Sequence, residues 1–496
     1  MKSSRIALCC AVASAAFIGV PAQADTLREA LVSAYNTNPT LLGQRATQRA
    51  TDEEVPINKA GARPSVDSTV NVIEFVRQNA NSFFQPQRVL TAQANLGVPI
   101  YNGGAVKNGI RAAEERVLAG QADLRATESA IFSQTVAAYM DVLRTEALAG
   151  LAANQVEVLR VNLEATRDRF EIGDLTLTDV AQSESRLAGA EGDLLNAQSN
   201  LIAAQQTYIQ LVGQSPVALE APPPLPGLPD NVGLAVDTAL KFNPDLLAAK
   251  ERADAAGFDT KVAGAGRLPT VSLFGTYDYN NTLGTIPDFP LDPSDPNSPT
   301  VPSDQTTFGV QAGVTVRIPL FQGGLPAARQ RQAGARESAA LENVIATERS
   351  IIAQTRSAYA SWQASNAVIK SSQAAVEAAE LSLEGVRAEN SIGNRTILDV
   401  LNAEQELLSA RAQLVTARRN AYVAGFTLLA AMGSAEARDL NLDTGGPLYD
   451  PMVNYNRVKG KFWDWDRDPK PAPQSTRTVD IQAPTASFGP ELAPGE

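Results

Sequence analysis

The sequence predicts an α+β fold, mostly α, in which one structural unit is used twice in tandem. Three observations carry this reading. Matching residues recur 220 positions apart, as from Gly173 to Gly393. Apolar residues return every seventh position over stretches much longer than an ordinary helix. Between those stretches lie short runs in which apolar and polar residues alternate, the period of a β-strand.

Composition narrows the function classes. The chain has 496 residues, a formal net charge of −12 and no histidine. A nucleic-acid partner calls for a concentrated basic surface, which argues against one here. The lack of histidine removes the commonest general base and metal ligand. Lys2 and Arg5, an apolar run from Ile6 to Val20, and Ala22-Gln-Ala24 before Asp25 read as a secretory signal over 1–24. The alternative, a buried N-terminal helix, fits poorly with the flanking charge and the A-x-A-like site. Cleavage removes Cys9 and Cys10, so the exported chain has no thiol, disulfide or thiolate metal site. Those cysteines also sit too early in the apolar run for a lipid-attachment site. No other apolar stretch approaches the ~20 residues of a transmembrane helix. An acidic exported chain of this kind is periplasmic, secreted, or a barrel in the outer membrane.

The repeat divides the mature chain. The offset of 220 joins Pro99-Ile-Tyr-Asn-Gly-Gly104 to Pro319-Leu-Phe-Gln-Gly-Gly324, and Gln134 and Tyr139 to Gln354 and Tyr359. Nearer the start an offset of 205 joins Asn38-Pro39 to Asn243-Pro244, Ala60-Gly61 to Ala265-Gly266, and Pro64 to Pro269. The second copy therefore holds an insertion of 15 residues between about 270 and 319. The copies span 25–215 and 231–433, joined by a Pro-rich linker over 216–230, with a C-terminal extension over 434–496.

Each copy opens with an Ala/Leu-rich helix, 26–61 and 231–266, interrupted by Asn-Pro. Strands follow over 65–77 and 89–98 in the first copy, and over 270–280 and 306–318 in the second. In the last, Phe308, Val310, Ala312, Val314, Val316 and Ile318 share one face. Such runs fit a transmembrane β-strand or a half-buried strand of a soluble sheet. The polar loop 282–305 resembles the outward loops of membrane barrels. Pro-x-x-x-Gly-Gly then ends each hairpin, because proline interrupts a ladder and paired glycines permit a sharp change of direction.

Long helices follow over 105–171 and 325–391, with return partners over 178–212 and 398–433. Val180, Leu187, Leu194, Leu201 and Tyr208 step by sevens, as do Leu401, Leu408, Val415, Tyr422 and Leu429. A strict heptad implies left-handed supercoiled packing, and each long helix spans ~100 Å at 1.5 Å per residue. The opening and return helices together match the long helix in length. The economical packing therefore lays them end to end beside it, with the break near Asn-Pro. The linker is expected to be extended and proline-stiffened. An irregular belt with Trp463 and Trp465 is expected over 440–470, with disorder beyond.

Four strands cannot close a membrane barrel, since about eight is the smallest bacterial number, and an open edge in lipid is not tolerated. The chain must then oligomerise; two copies give eight strands and three give twelve. With motif order and duplication in hand, residues 26–433 resemble the TolC-type outer-membrane efflux family. The motifs are Pro-x-x-x-Gly-Gly and two turns of the form Arg-x-x-x-x-Ile-Gly-x-x-Thr-x-x-Asp-Val, Arg167–Val180 and Arg387–Val400. The resemblance implies long α-helical hairpins forming a periplasmic α-barrel. Four transmembrane β-strands per protomer would continue it into a trimeric 12-stranded β-barrel. It implies an exit duct in the outer membrane for a tripartite efflux pump or type I secretion system. The partners would be a periplasmic adaptor (membrane fusion) protein and an inner-membrane transporter of ABC or RND type, with outer-membrane lipid around the barrel. The missing N-terminal lipid anchor favours the non-lipidated branch. A periplasmic coiled-coil scaffold is the competing reading. No cofactor, metal site or catalytic residue is expected.

By the same resemblance the two turns form the gate. Asp399 would face the lumen as a threefold acidic ring able to bind polyvalent cations, and Arg395 would reach Thr178 and Asp179 on the other hairpin. Departures are Asn402, where a second acidic ring is expected, and Asn390, where an aromatic often stands. Ile172, Gly173, Asp174, Ile392, Gly393 and Asn394 are the expected adaptor contacts. The alternative for Asp179 and Asp399 is plain helix capping, and Gly173 and Gly393 suit left-handed helix ends in either case. Tyr139 and Tyr359 are expected to pack between helices. The two copies are expected to differ in role at the gate.

Overall fold

A chain whose longest elements are coiled-coil helices has no single centre, and its core is strung along the helix seams. The computed structural model describes residues 25–77 and 85–483. The expected signal segment and residues 484–496 lie outside the described residues. The first copy comprises α1 (Leu27–Thr37), α2 (Pro39–Asp52), α3 (Glu54–Ala60), β1 (Ser65–Glu74), β2 (Arg88–Asn102), α4 (Ala105–Glu171) and α5 (Leu177–Val212). The second comprises α6 (Val232–Phe242), α7 (Pro244–Ala265), β3 (Thr270–Asn281), a small pair β4 (Phe289–Pro290) and β5 (Thr300–Val301), β6 (Thr306–Arg317), α8 (Leu325–Ser391) and α9 (Ile397–Ala431). A short helix α10 (Pro451–Val458) follows. Both long helices have 67 residues. Among the described residues no helix is long and apolar enough to cross a membrane.

The strands form one antiparallel sheet in the order β1-β2-β3-β6, so the two copies meet at β2 and β3. Register aligns the alternation across all four strands. Val70, Ala92, Tyr279 and Phe308 stand side by side, as do Val66, Leu96, Gly275 and Ala312. The opposite face is polar and bonded across strands, with Asn95 Nδ2 donating to Asp67 at 3.0 Å and Gln93 Nε2 to Asp278 at 2.9 Å. β1 and β6 each pair on one side only, leaving two bare edges. β2 runs through Pro99 to Asn102, past the expected stop, because a register shift between Pro99 and Tyr101 absorbs the missing donor. At Gly103, with φ +65°, a Cβ would lie 2.8 Å from the Ala265 carbonyl oxygen, so only glycine fits this close turn.

The Asn-Pro breaks are where helices meet end to end. Asn38 Oδ1 accepts from the amides of Thr40 and Leu41, capping α2, while its Nδ2 donates to Leu211 O at the end of α5 at 3.0 Å. Asn243 repeats the arrangement, capping α7 and donating to Ala431 O of α9 at 3.0 Å. Around these joints lies the largest apolar cluster, with Leu31, Tyr35, Phe132, Tyr139, Leu201, Tyr208, Phe426 and Leu429. Tyr139 and Tyr359 pack between helices as expected and also hold the linker. The Tyr139 hydroxyl lies 2.7 Å from Glu220 O, and the Tyr359 hydroxyl 3.0 Å from Asp230 O.

Burial is uneven between the copies. α4 buries residues along its whole length, from Gly109 to Thr166. α8 buries chiefly Ile351, Thr355, Ala358 and Tyr359, then Ala379 and Leu383, and leaves Leu341, Val368 and Leu381 exposed. The C-terminal segment differs from the expected irregular belt. It contains α10, held to α2 by Asn454 Nδ2 on Asp52 at 2.6 Å. Trp463 and Trp465 do not pack on the helices, and both are exposed.

Candidate gate at the helical tips

Each hairpin turns by the same local chemistry. At the end of α4, Gly173 takes φ +82°, its amide donates to Phe170 O, and the Asp174 amide donates to Arg169 O. Gly393 takes φ +81°, with the Asn394 amide on Glu389 O. A left-handed glycine with this pair of bonds satisfies the last carbonyls of a helix and reverses the chain. The return helices then start on capping boxes. The hydroxyls of Thr176 and Thr396 accept from the amides of Asp179 and Asp399, whose carboxylates accept from the threonine amides.

The capping role expected as an alternative for Asp179 and Asp399 is therefore present in both copies. Asp399 Oδ2 lies 2.8 Å from the Thr396 hydroxyl and 3.0 Å from its amide. The hydroxyl, and then the amide, hold its pKa below the usual carboxylate value. Asp179 is lowered in the same way by Thr176.

Arg395 departs from expectation. Its Nε lies 2.7 Å from Glu389 of its own hairpin, and within this chain it reaches neither Thr178 nor Asp179. The reason is local. The turn brings α8's last acidic residue beside Arg395, and Asn390 Nδ2 fixes the Arg395 carbonyl at 2.8 Å. In the first copy a different pair closes the turn, Arg169 with Asp174 at 2.6 Å, with the arginine at the position equivalent to Glu389.

The two hairpins are joined one step higher, chiefly through Glu404 and Asn162, which the sequence did not single out. Glu404 of α9 has 3% side-chain exposure and accepts from Asn162 of α4, whose Nδ2 lies 3.0 Å from each carboxylate oxygen. Arg387 Nη2 of α8 completes the site at 3.0 Å. Asn402 takes part in a second cross-link, accepting from Arg186 of α5 at 3.0 Å. Glu404 stands about 10 Å along α9 from the turn at 1.5 Å per residue. One signal could have found it. Arg167–Glu184 and Arg387–Glu404 are the same bridge in the two copies, both at the 220 offset.

A family profile described as "Outer membrane efflux protein" matches residues 30–214 and 235–434, both copies and nearly the whole helical and strand framework. The chain belongs to the outer membrane efflux protein family. It is 31% identical over 445 residues to the outer membrane efflux protein BepC of Brucella suis biovar 1, covering 90% of this chain and 93% of that one. To the outer membrane protein TolC of Vibrio cholerae it is 25% identical over 424 residues, covering 84% and 92%. The crystal structure of the Campylobacter jejuni CmeC outer membrane channel superposes with a TM-score of 0.72 at 16% identity, covering 88% of this chain and 89% of that one. Membership places this efflux protein in the outer membrane and makes the duplicated hairpin-and-sheet unit the fold of a channel-tunnel.

Proposed function

We propose that three copies of the chain close into one duct, gated at the helical tips, that passes substrate across the outer membrane without chemistry. The observation that carries this is the pairing of opposite ends. One end is a sheet with an apolar face and two bare edges, and the other is a pair of hairpins latched through Glu404. Bare edges in lipid leave amides and carbonyls unsatisfied, and closure with further copies removes them. The exposed apolar residues of α8 call for the same neighbour. Twelve strands leave a lumen, whereas eight are filled by side chains.

At the tip, Ile172 and Ile392 are exposed on the outermost turns. With Gly173, Asp174, Gly393 and Asn394 they form the surface offered to a periplasmic adaptor, which would in turn hold an ABC or RND transporter of the inner membrane. Asp399, one per copy, would ring the constriction, with Asn402, Arg395, Thr178, Asp179 and Asn390 around it. Opening would separate the hairpins at Asn162–Glu404 and Arg186–Asn402. Purification from outer membranes followed by gels with and without heating, and conductance in planar bilayers, tests the reading. A heat-modifiable trimer with a discrete conductance supports it, and a monomer without conductance overturns it.

A further inference from the structure

The C-terminal segment makes a detour that the duct does not explain. From the end of α9 it climbs beside α1, where the Tyr449 amide donates to Tyr35 Oη at 2.8 Å, and then α2, where Asn454 reaches Asp52. It continues to the last residues before the sheet. Lys59 Nζ donates to Lys459 O at 3.1 Å and Arg63 Nη1 to Lys461 O at 2.6 Å, with Arg63 two residues before β1 begins at Ser65. The chain then reverses and descends, so that Thr476 lies against Gly213 at the end of α5. At the summit stands Phe462-Trp463-Asp464-Trp465. Trp463 and Trp465 are 76% and 83% exposed. They are two of only three tryptophans in the chain.

The turn is built to project. Lys461 Nζ bridges Asp466 and Asp468 at 3.1 and 3.3 Å, and Arg457 holds Asp468 at 2.7 Å, closing the base of the loop below the aromatics. Arg63 lies 5.2 Å over the Phe462 ring, and Phe462 meets Trp463 edge to face at 5.8 Å. Among the described residues, no helix side chain buries the indoles, although burying aromatic surface is among the largest favourable terms available to a chain.

We propose that Phe462–Trp465 is a membrane-interface anchor, seated among phospholipid headgroups at the periplasmic face of the outer membrane. The proposal rests on the reading of the four-stranded sheet as membrane-spanning. Three observations select lipid as the occupant. The turn lies beside Arg63, at the level where the sheet begins, and exposed apolar residues stand at the same end of the sheet, Ile100 and Tyr101 late in β2 and Leu320 and Phe321 beyond β6. Tryptophan, with an apolar body and one N–H donor, concentrates at that depth. The flanks carry Arg457, Lys459, Lys461, Arg467 and Lys470 against Asp464, Asp466 and Asp468, a net basic stretch in a chain of net charge −12. Such a stretch suits phosphate headgroups.

The test uses the full mature chain with Trp362→Phe, leaving Trp463 and Trp465 as the only reporters. It is reconstituted into phosphatidylethanolamine and phosphatidylglycerol vesicles doped with lipids brominated near the headgroup end or the tail end of the acyl chain. The expected result is blue-shifted emission that shallow bromines quench strongly and deep bromines weakly. Water-like, unquenched emission overturns the anchor. Blue-shifted but unquenched emission also overturns it, because the indoles are then covered by protein, a second copy included. A companion chain with all three tryptophans changed to Phe and Val310→Trp reports on the sheet. Quenching of Val310→Trp at mid-chain depth with no quenching at the turn refutes the anchor alone. No quenching at either place refutes the membrane reading of the sheet and the anchor with it.

Discussion

Replacing Glu404 with alanine should open the proposed gate, and its repeat-equivalent Glu184 supplies the control. Glu404 has 3% side-chain exposure and ties Asn162 of the first hairpin to Arg387 of the second. A hydrogen bond to a charged acceptor contributes about 1.5–3 kcal/mol net. Arg387 keeps about half its surface in water, so its share is screened and small. The loss is therefore dominated by the half-buried Asn162 amide, which loses its charged acceptor, and comes to about 2 kcal/mol per chain. If three copies move together the total is about 6 kcal/mol, enough to shift a two-state equilibrium by roughly four powers of ten. Glu184 has 49% side-chain exposure and, among the described residues, pairs with Arg167 alone, so Glu184→Ala should cost about 0–1 kcal/mol. Single-channel conductance in planar bilayers, and cell sensitivity to antibiotics too large for ordinary porins, read the difference. Glu404→Ala is expected to raise both, and Glu404→Gln to fall between, since its amide oxygen still accepts from Asn162. Equal behaviour of Glu404→Ala and Glu184→Ala, with the trimer intact, would refute the latch.

Three further perturbations follow from the same geometry. Asn38→Ala and Asn243→Ala each remove a cap and an end-to-end tie. Each should destabilise by about 1–2 kcal/mol and lower the thermal midpoint, nearly additively because the sites share no partner. Glu251 of α7 is raised to about 7, first by burial and then by the Glu115 carboxyl beside it. A folded pKa above the unfolded one means that the folded state binds this proton more tightly. The contribution is present at acid pH and lost as pH rises to about 7. Glu251→Gln should thus flatten the thermal midpoint between pH 5 and 7.5 (roughly the span of that titration) and raise it at the alkaline end. Asp399→Ala should abolish block of the open channel by trivalent cations. In the parent chain the block should persist into acid, because Thr396 keeps the carboxylate charged; block retained in the variant would show that the ring is formed by other groups.

Periodicity explains what could be read in advance. Both long helices begin and end where the heptad and the Gly-Gly and Ile-Gly punctuation place them, because those signals are local and repeated. The sheet register follows for the same reason, since a slip of one residue would turn Phe308 and Val310 to the polar face. The candidate gate was harder because its partners are set by tertiary approach. Capping by Asp179 and Asp399 was legible as an alternative, while the N-caps themselves, Thr176 and Thr396, were not singled out, and nothing in the order of residues reveals that Arg395 finds Glu389 before any residue of the other hairpin. The C-terminal climb left no periodic trace either, because it is fixed by Lys59 and Arg63 donating to backbone carbonyls, contacts that have no sequence signature.

Glu184 and Glu404 show what duplication does to such sites. The two carboxylates occupy the same place in the repeat and bridge the same arginine across the same turn. Only Glu404 meets the other hairpin, and there Asn162 supplies the donor that makes burial of a charge tolerable. The residue at the Asn162 position in the second copy is Ser382, too short to repeat the contact. A surface ion pair has in this way become a buried latch by acquiring one amide on one side. The asymmetry between the copies, sought first at Arg395 and Asp399, resides within this chain in the environment of Glu404.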